Sequence, residues 1–94
     1  MSASLDEDSI VRLPRGVRLR HDQARGGWVL LAPERVFQLD AIAHAVVERV
    51  DGERSVAAII DDLATSFEAE RERIHDDVLA LFRSLIDKGI MEVA

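Results

Sequence analysis

The sequence predicts an α+β domain in which an N-terminal β-hairpin and a short third strand lead into a three-helix bundle. Three features predict it. Val17-Arg18-Leu19-Arg20-His21-Asp22 alternates apolar and charged residues with the two-residue period of a half-exposed strand. Trp28-Val29-Leu30-Leu31-Ala32 is a continuous apolar run of buried-strand length, closed by Pro33, which cannot donate to a ladder. From Leu39 onward the apolar residues recur every three or four positions, the spacing of helices that bury one face. A chain of 94 residues supports one core. With three Phe, one Trp and no Tyr, aliphatic side chains must fill it.

Taken in order, residues 1–11 show no periodicity and are expected as a mobile N-terminus, with a single folded domain over 12–94. Leu13-Pro14-Arg15-Gly16 reads as an extended lead-in to the first strand, whose inner face would carry Val17, Leu19 and His21. Gln23-Ala24-Arg25-Gly26-Gly27 forms the loop, its paired glycines supplying the positive backbone angles of a tight reversal, so the hairpin spans about 17–32. Pro33-Glu34 is a turn, because Pro presets the angle at its second position. Val36-Phe37-Gln38-Leu39 follows as the third strand, with Phe37 and Leu39 on one face and Val36 and Gln38 on the other. A short strand beside a proline, leading straight into helices, is an edge. Its unpaired amides and carbonyls accept another chain's strand.

Asp40 caps a first helix over 40–50, which Asp51-Gly52 ends. Ser55 caps the second, with Val56, Ile59, Ile60, Leu63 and Phe67 as its apolar stripe. No Gly or Pro separates Phe67 from Ile74, and a single helix over 55–88 keeps phase; the usual length of globular helices places a break near 66–70 instead. The last helix, 70–88, carries two apolar stripes. Ile74, Val78, Leu81 and Leu85 form one; Leu79, Phe82 and Ile86 form the other, and together they span about 160° of the surface. Either two elements cover this face or part of it lines an open groove. Gly89 ends the helix, and Ile90-Met91-Glu92-Val93 makes a short terminal strand.

The catalytic inventory is thin. With no Cys there is neither disulfide nor thiolate nucleophile, and with no signal peptide or apolar run near 18 residues a cytoplasmic location is expected. His21, His44 and His75 are too widely spaced for a metal pair, and Asp61-Asp62 and Asp76-Asp77 are helix neighbours that point about 100° apart. Gly26-Gly27 lacks the following helix of a phosphate cradle. No nucleophile sits with a base, so the chain is expected to be no enzyme and to need no cofactor or metal.

The net charge of −6 is uneven. Residues 12–35 hold six arginines against Asp22 and Glu34, whereas residues 36–94 hold thirteen acidic and six basic groups. Attraction between this basic hairpin and the acidic helical body, together with solvation, is the expected use of the asymmetry. Strands, three helices and a terminal strand make a winged-helix-like layout, which admits DNA binding. A last helix opening Glu68-Ala69-Glu70-Arg71-Glu72-Arg73, in an acidic domain, repels phosphates. The rival reading is a peptide- or protein-interaction module that uses the Val36–Leu39 edge and the last helix. Because a two-stranded hairpin is marginal alone and its connection to the helices is short, exchange of the hairpin between two copies, a domain-swapped homodimer, is also expected at high concentration.

Four segments carry a resemblance. Leu13-Pro14-Arg15-Gly16-Val17-Arg18-Leu19-Arg20, Trp28 to Arg35, Asp51-Gly52-Glu53-Arg54-Ser55-Val56, and Asp77-Val78 with Leu85-Ile86-Asp87-Lys88-Gly89 resemble the PqqD family of pyrroloquinoline quinone (PQQ) biosynthesis. The resemblance covers about residues 12–93. It implies a winged-helix-like recognition element, a peptide chaperone that binds the precursor peptide PqqA and delivers it to the radical S-adenosylmethionine (SAM) enzyme PqqE, which cross-links a glutamate and a tyrosine. Iron–sulfur clusters and cofactor then belong to that partner, and no nucleic acid or membrane is involved. It further implies that the peptide adds to the third strand and lies against the last helix. The expected peptide-binding residues are therefore Val36, Phe37, Gln38, Leu39, Ile74, Val78, Leu81, Phe82 and Leu85.

Overall fold

The alternating segment and the apolar run pair as expected, and the third strand completes a meander. The computed structural model describes residues 5–94. In chain order these form β1 (Val11–Arg12), β2 (Arg18–His21), β3 (Trp28–Ala32), β4 (Arg35–Leu39), α1 (Ala41–Val47), α2 (Val56–Ser66), α3 (Arg71–Asp87) and β5 (Glu92–Val93). The sheet order is β2-β3-β4, all antiparallel, so the apolar run is the central strand and β4 is an edge.

Pairing of Arg18 with Leu31, Leu19 with Leu30, Leu30 with Phe37 and Trp28 with Leu39 sets the two faces of the sheet. Leu19, Leu30, Phe37 and Leu39 point to the helices, and Leu30 is fully buried. His21, expected on this inner face, is exposed at the strand's end, where its ring meets the edge of Trp28 at 5.1 Å. Trp28 in turn stacks on His44 of α1 at 4.3 Å and 8°, joining the hairpin to the helices of its own chain. Gly26 and Gly27 adopt φ 70° and 125°, and Asp22 closes their loop through its backbone bonds to Gly26 and Gly27 at 2.8 Å.

The first two helices begin where a cap was expected. The Asp40 carboxylate accepts from the Ala43 amide at 2.7 Å and the Ser55 hydroxyl from the Ala58 amide at 3.1 Å. α1 is shorter than the expected 40–50, because after Val47 the chain tightens into three-residue turns, Arg49 N–H to Val46 C=O and Val50 N–H to Val47 C=O. The break between α2 and α3 does fall near 66–70, at Glu68, whose φ of 49° leaves the helix without a glycine. α3 ends in a Schellman motif: Ile90 N–H reaches Leu85 C=O, Gly89 N–H reaches Ile86 C=O, and Gly89 takes φ 76°. Among the described residues no helix is long and apolar enough to cross a membrane.

The domain boundary expected at residue 12 moves. Residues 1–4 lie outside the described residues, but 5–11 are packed, with Val11 only 1% exposed and β1 paired to β5. This segment also completes the N-terminus of α2. Val56 N–H donates to Ser9 C=O at 2.8 Å and Ala57 N–H to Glu7 C=O at 2.9 Å, satisfying first-turn donors that Ser55 cannot reach. Their signal is absent from periodicity because the contribution is made by backbone carbonyls.

Ion pairs tie the helical body together. Arg71 joins Glu7 and Asp61, while Arg49 and Arg54 share Asp62 at 3.0 and 3.1 Å. The hydrogen bond from Arg71 holds the Glu7 carboxyl below its ordinary 4.5, and that from Arg54 does the same for Asp62. The expected attraction between the basic segment and the acidic body is made by contact at Arg12, which pairs with Glu92 at 2.7 Å. No ion pair among the described residues involves Arg15, Arg18, Arg20 or Arg25.

Candidate functional site

The register of β4 decides which of its backbone groups are free. Ala32 and Arg35 flank the two-residue Pro33-Glu34 turn, with Glu34 at φ 64°, and so form the hydrogen-bonded pair that closes it. Pairing then alternates. Phe37 and Leu39 direct their amides and carbonyls to β3, while Val36 and Gln38 direct theirs away from the sheet.

Beside this open edge runs a groove of about 520 Å³ whose second wall is α3. Val36, Phe37, Gln38 and Leu39 line one side, Leu81, Ser84, Leu85 and Lys88 the other, and Asp40 and Ala43 close the end where β4 passes into α1. Arg35 fixes the opposite end: its guanidinium donates to the Lys88 carbonyl at 3.0 Å and lies 5.2 Å over the Phe37 ring. The Lys88 ammonium donates to Ser84 Oγ at 2.7 Å. The groove therefore has an apolar floor, two free backbone amides along its rim, a cation at one end and a carboxylate at the other. Those groups suit an extended peptide.

Six of the nine expected residues come together here: Val36, Phe37, Gln38, Leu39, Leu81 and Leu85. Phe82 does not. It is fully buried in the core, as the largest of the buried side chains, because it lies one residue on from Leu81 and so about 100° around the helix. Val78 is 1% exposed, and with the half-buried Ile74 it borders a separate apolar cleft of about 250 Å³ beside Ile42 and Phe67. Phe67, expected as core, is 58% exposed because it caps the end of α2. The two stripes of α3 are thus not divided as core and groove. Burial centres on Val78, Leu79, Phe82 and Leu85, drawn from both.

Sequence reasoning missed Ser84, Lys88, Asp40 and Ala43. Ser84 and Lys88 lie three and seven residues after Leu81, so extending the helical stripe through polar positions finds them. Asp40 was visible only as a cap, a role it also fills.

Comparison with known proteins identifies the family and the fold. The chain matches the family described as Coenzyme PQQ synthesis protein D (PqqD) over residues 27–91. It is 48% identical over 91 residues to the "PqqA binding protein" of Rhodopseudomonas palustris (strain HaA2), covering 97% of this chain and 89% of that one. To the protein of the same description from Xanthomonas campestris pv. campestris (strain B100) it is 46% identical, covering 97% and 99%. The solution structure of the PqqD truncation of Methylobacterium extorquens PqqCD, described as a functional and stand-alone recognition element for ribosomally synthesized and post-translationally modified peptides, superposes with a TM-score of 0.83 at 42% identity over 95% of both chains. The crystal structure of PqqD from X. campestris superposes with a TM-score of 0.57 at 48% identity, over 90% of this chain and 94% of that one. An open β4 edge facing α3, in a chain matched by that family over β3, β4 and all three helices, leads to one conclusion: the chain belongs to the PqqD family of coenzyme PQQ synthesis proteins.

Proposed function

We propose that this chain binds the precursor peptide PqqA by strand addition to β4 and presents it to the radical SAM enzyme PqqE, acting as a peptide chaperone without chemistry of its own. The observation that carries the reading is the pair of outward backbone groups at Val36 and Gln38, set beside a groove walled by Leu81, Ser84, Leu85 and Lys88. A peptide strand seated about 4.8 Å from β4 pairs with those groups and packs alternate side chains against α3. The relatives named as PqqA binding proteins, and the recognition element of known structure, support the peptide class.

Proline at Val36 or at Gln38 tests it. Each amide faces outward, so proline spares the β3 ladder and removes one donor to the peptide. PqqA affinity is expected to fall by about 1–2 kcal/mol, about five- to thirtyfold, in each variant. Titration of labelled protein with PqqA, followed by amide shifts, measures it; unchanged affinity in both folded variants refutes strand addition at β4.

We extend the proposal to exchange of the β2–β3 hairpin between two copies. The hairpin is linked to α1 through β4 alone, and it packs on the helices through Leu19, Leu30 and the Trp28–His44 stack, contacts that a second copy offers equally. Light scattering is expected to show a dimer fraction that rises with concentration. Monomer alone across the accessible range counts against it.

A further inference from the structure

The β2-β3-β4 sheet has a second face, turned away from the core, that meets the peptide groove only along β4. On it the register places Arg18 and Arg20 of β2, Val29 and Leu31 of β3 and Val36 of β4. Val29 is buried at 5% exposure, though outside the main core cluster, while Leu31 is half-buried and Val36 is 63% exposed. Arg18 and Arg20 are exposed, and among the described residues their side chains donate no hydrogen bond and form no ion pair. The arginines of the helical body behave differently. Arg49, Arg54 and Arg71 each hold a carboxylate. An acidic chain has thus left uncompensated two guanidinium groups that flank an aliphatic centre.

We propose that this outer face docks a protein surface of complementary make-up, acidic around an apolar centre, and that the surface belongs to the enzyme that modifies the peptide. Charge complementarity selects the partner class. Arginine beside aliphatic side chains is the make-up of protein interface centres, where guanidinium groups form bidentate pairs with carboxylates. Nucleic acid fits less well, since phosphates gain nothing from Val29, Leu31 and Val36 and are repelled by a chain of net charge −6. The placement also suits delivery. β4 offers its edge to the peptide and Val36 to this face, so an enzyme docked here lies beside the bound peptide and leaves the α3 wall of the groove untouched. The inference rests on the delivery reading above.

The test uses the full chain with Arg18→Glu and Arg20→Glu combined, and a milder Arg18→Gln, Arg20→Gln pair. Each is titrated separately with purified PqqE and with labelled PqqA. The reversed pair is expected to weaken PqqE binding tenfold or more and the neutral pair less. Added salt weakens wild-type binding and affects the variants little. PqqA affinity stays within twofold and the amide spectrum of the fold is retained; if the reversed pair fails to fold, the neutral pair carries the same comparison. Wild-type PqqE affinity in the folded variants overturns the inference alone. A wild-type chain that does not bind PqqE, with or without PqqA, overturns the delivery reading and this inference together. If the variants lose binding to a DNA duplex or to phosphatidylserine vesicles while PqqE binding is unchanged, the face serves another class of partner and the inference falls.

Discussion

Replacing Phe82 with alanine is expected to lower stability by about 3–5 kcal/mol, whereas Leu81→Ala, one residue away, is expected to weaken peptide binding and leave the fold standing. Phe82 is fully buried and sits among Leu30, Ile59, Ile60 and Ile90, all at 0–1% exposure. Removing its ring loses transfer free energy and leaves a cavity that aliphatic neighbours fill poorly. Against a total stability of about 5–15 kcal/mol, such a loss is a large share. At about 4–8 °C per kcal/mol for a domain of this size, the melting temperature should fall by at least about 12 °C. Leu81 is only half-buried and lines the groove opposite β4. Its truncation removes apolar contact with the peptide worth about 1–2 kcal/mol, about five- to thirtyfold in affinity. Thermal melts and PqqA titrations run in parallel on both variants separate the two roles. Equal losses of stability, or unaltered affinity in folded Leu81→Ala, would show that α3 does not divide its duties in this way.

The second large effect belongs to the N-terminal segment. Deletion of residues 1–11 is expected to cost about 3–5 kcal/mol, from the buried Val11 side chain and two hydrogen bonds at the start of α2. Val11 is 1% exposed, and without Ser9 and Glu7 the Val56 and Ala57 amides lose the carbonyls they donate to. The β1–β5 pair and the bond from the Ala94 amide to the Ile10 carbonyl go with it. A melting temperature unchanged by the deletion would contradict this packing. Part of the segment's contribution depends on pH. The hydrogen bond from Arg71 depresses the Glu7 carboxyl in the folded chain, so the stabilisation it brings is fully present above the ordinary value of 4.5 and disappears as pH falls through the lower folded value. The stability gap between wild type and Glu7→Gln should therefore be constant above about pH 5.5 and close as the solution is acidified further. Urea titrations across that range measure it, and a gap that widens in acid reverses the assignment.

What the sequence could carry was whatever repeats locally. Period-two alternation in Val17–Asp22 and an unbroken apolar run at Trp28–Ala32 specified two strands, since each strand turns every second side chain to the core. Asp40 and Ser55 marked helix starts by cap chemistry, and Gly89 marked a stop because few other residues tolerate its positive φ. Pro33 before a short strand was enough to read β4 as an edge able to accept a strand; the resemblance to the PqqD family then singled out Val36 to Leu39 for the candidate site.

Tertiary structure decided the rest, for three physical reasons. Much of the contribution of residues 5–11 comes from backbone carbonyls and from single side chains such as Val11 and Glu7, none of which leaves a periodic pattern. On α3 the apolar arc is wider than any one neighbour covers. Leu81 faces the groove and Phe82 the core only because β4 and α2 approach the helix from different sides, and no periodicity holds that information. Ser84 and Lys88, polar residues in an apolar stripe, become part of a groove only once the Arg35 guanidinium holds the start of β4 against the Lys88 carbonyl that caps α3. Local spacing determined which elements form and which faces are apolar. Which apolar face is buried and which is left open depended on contacts between residues far apart in the chain.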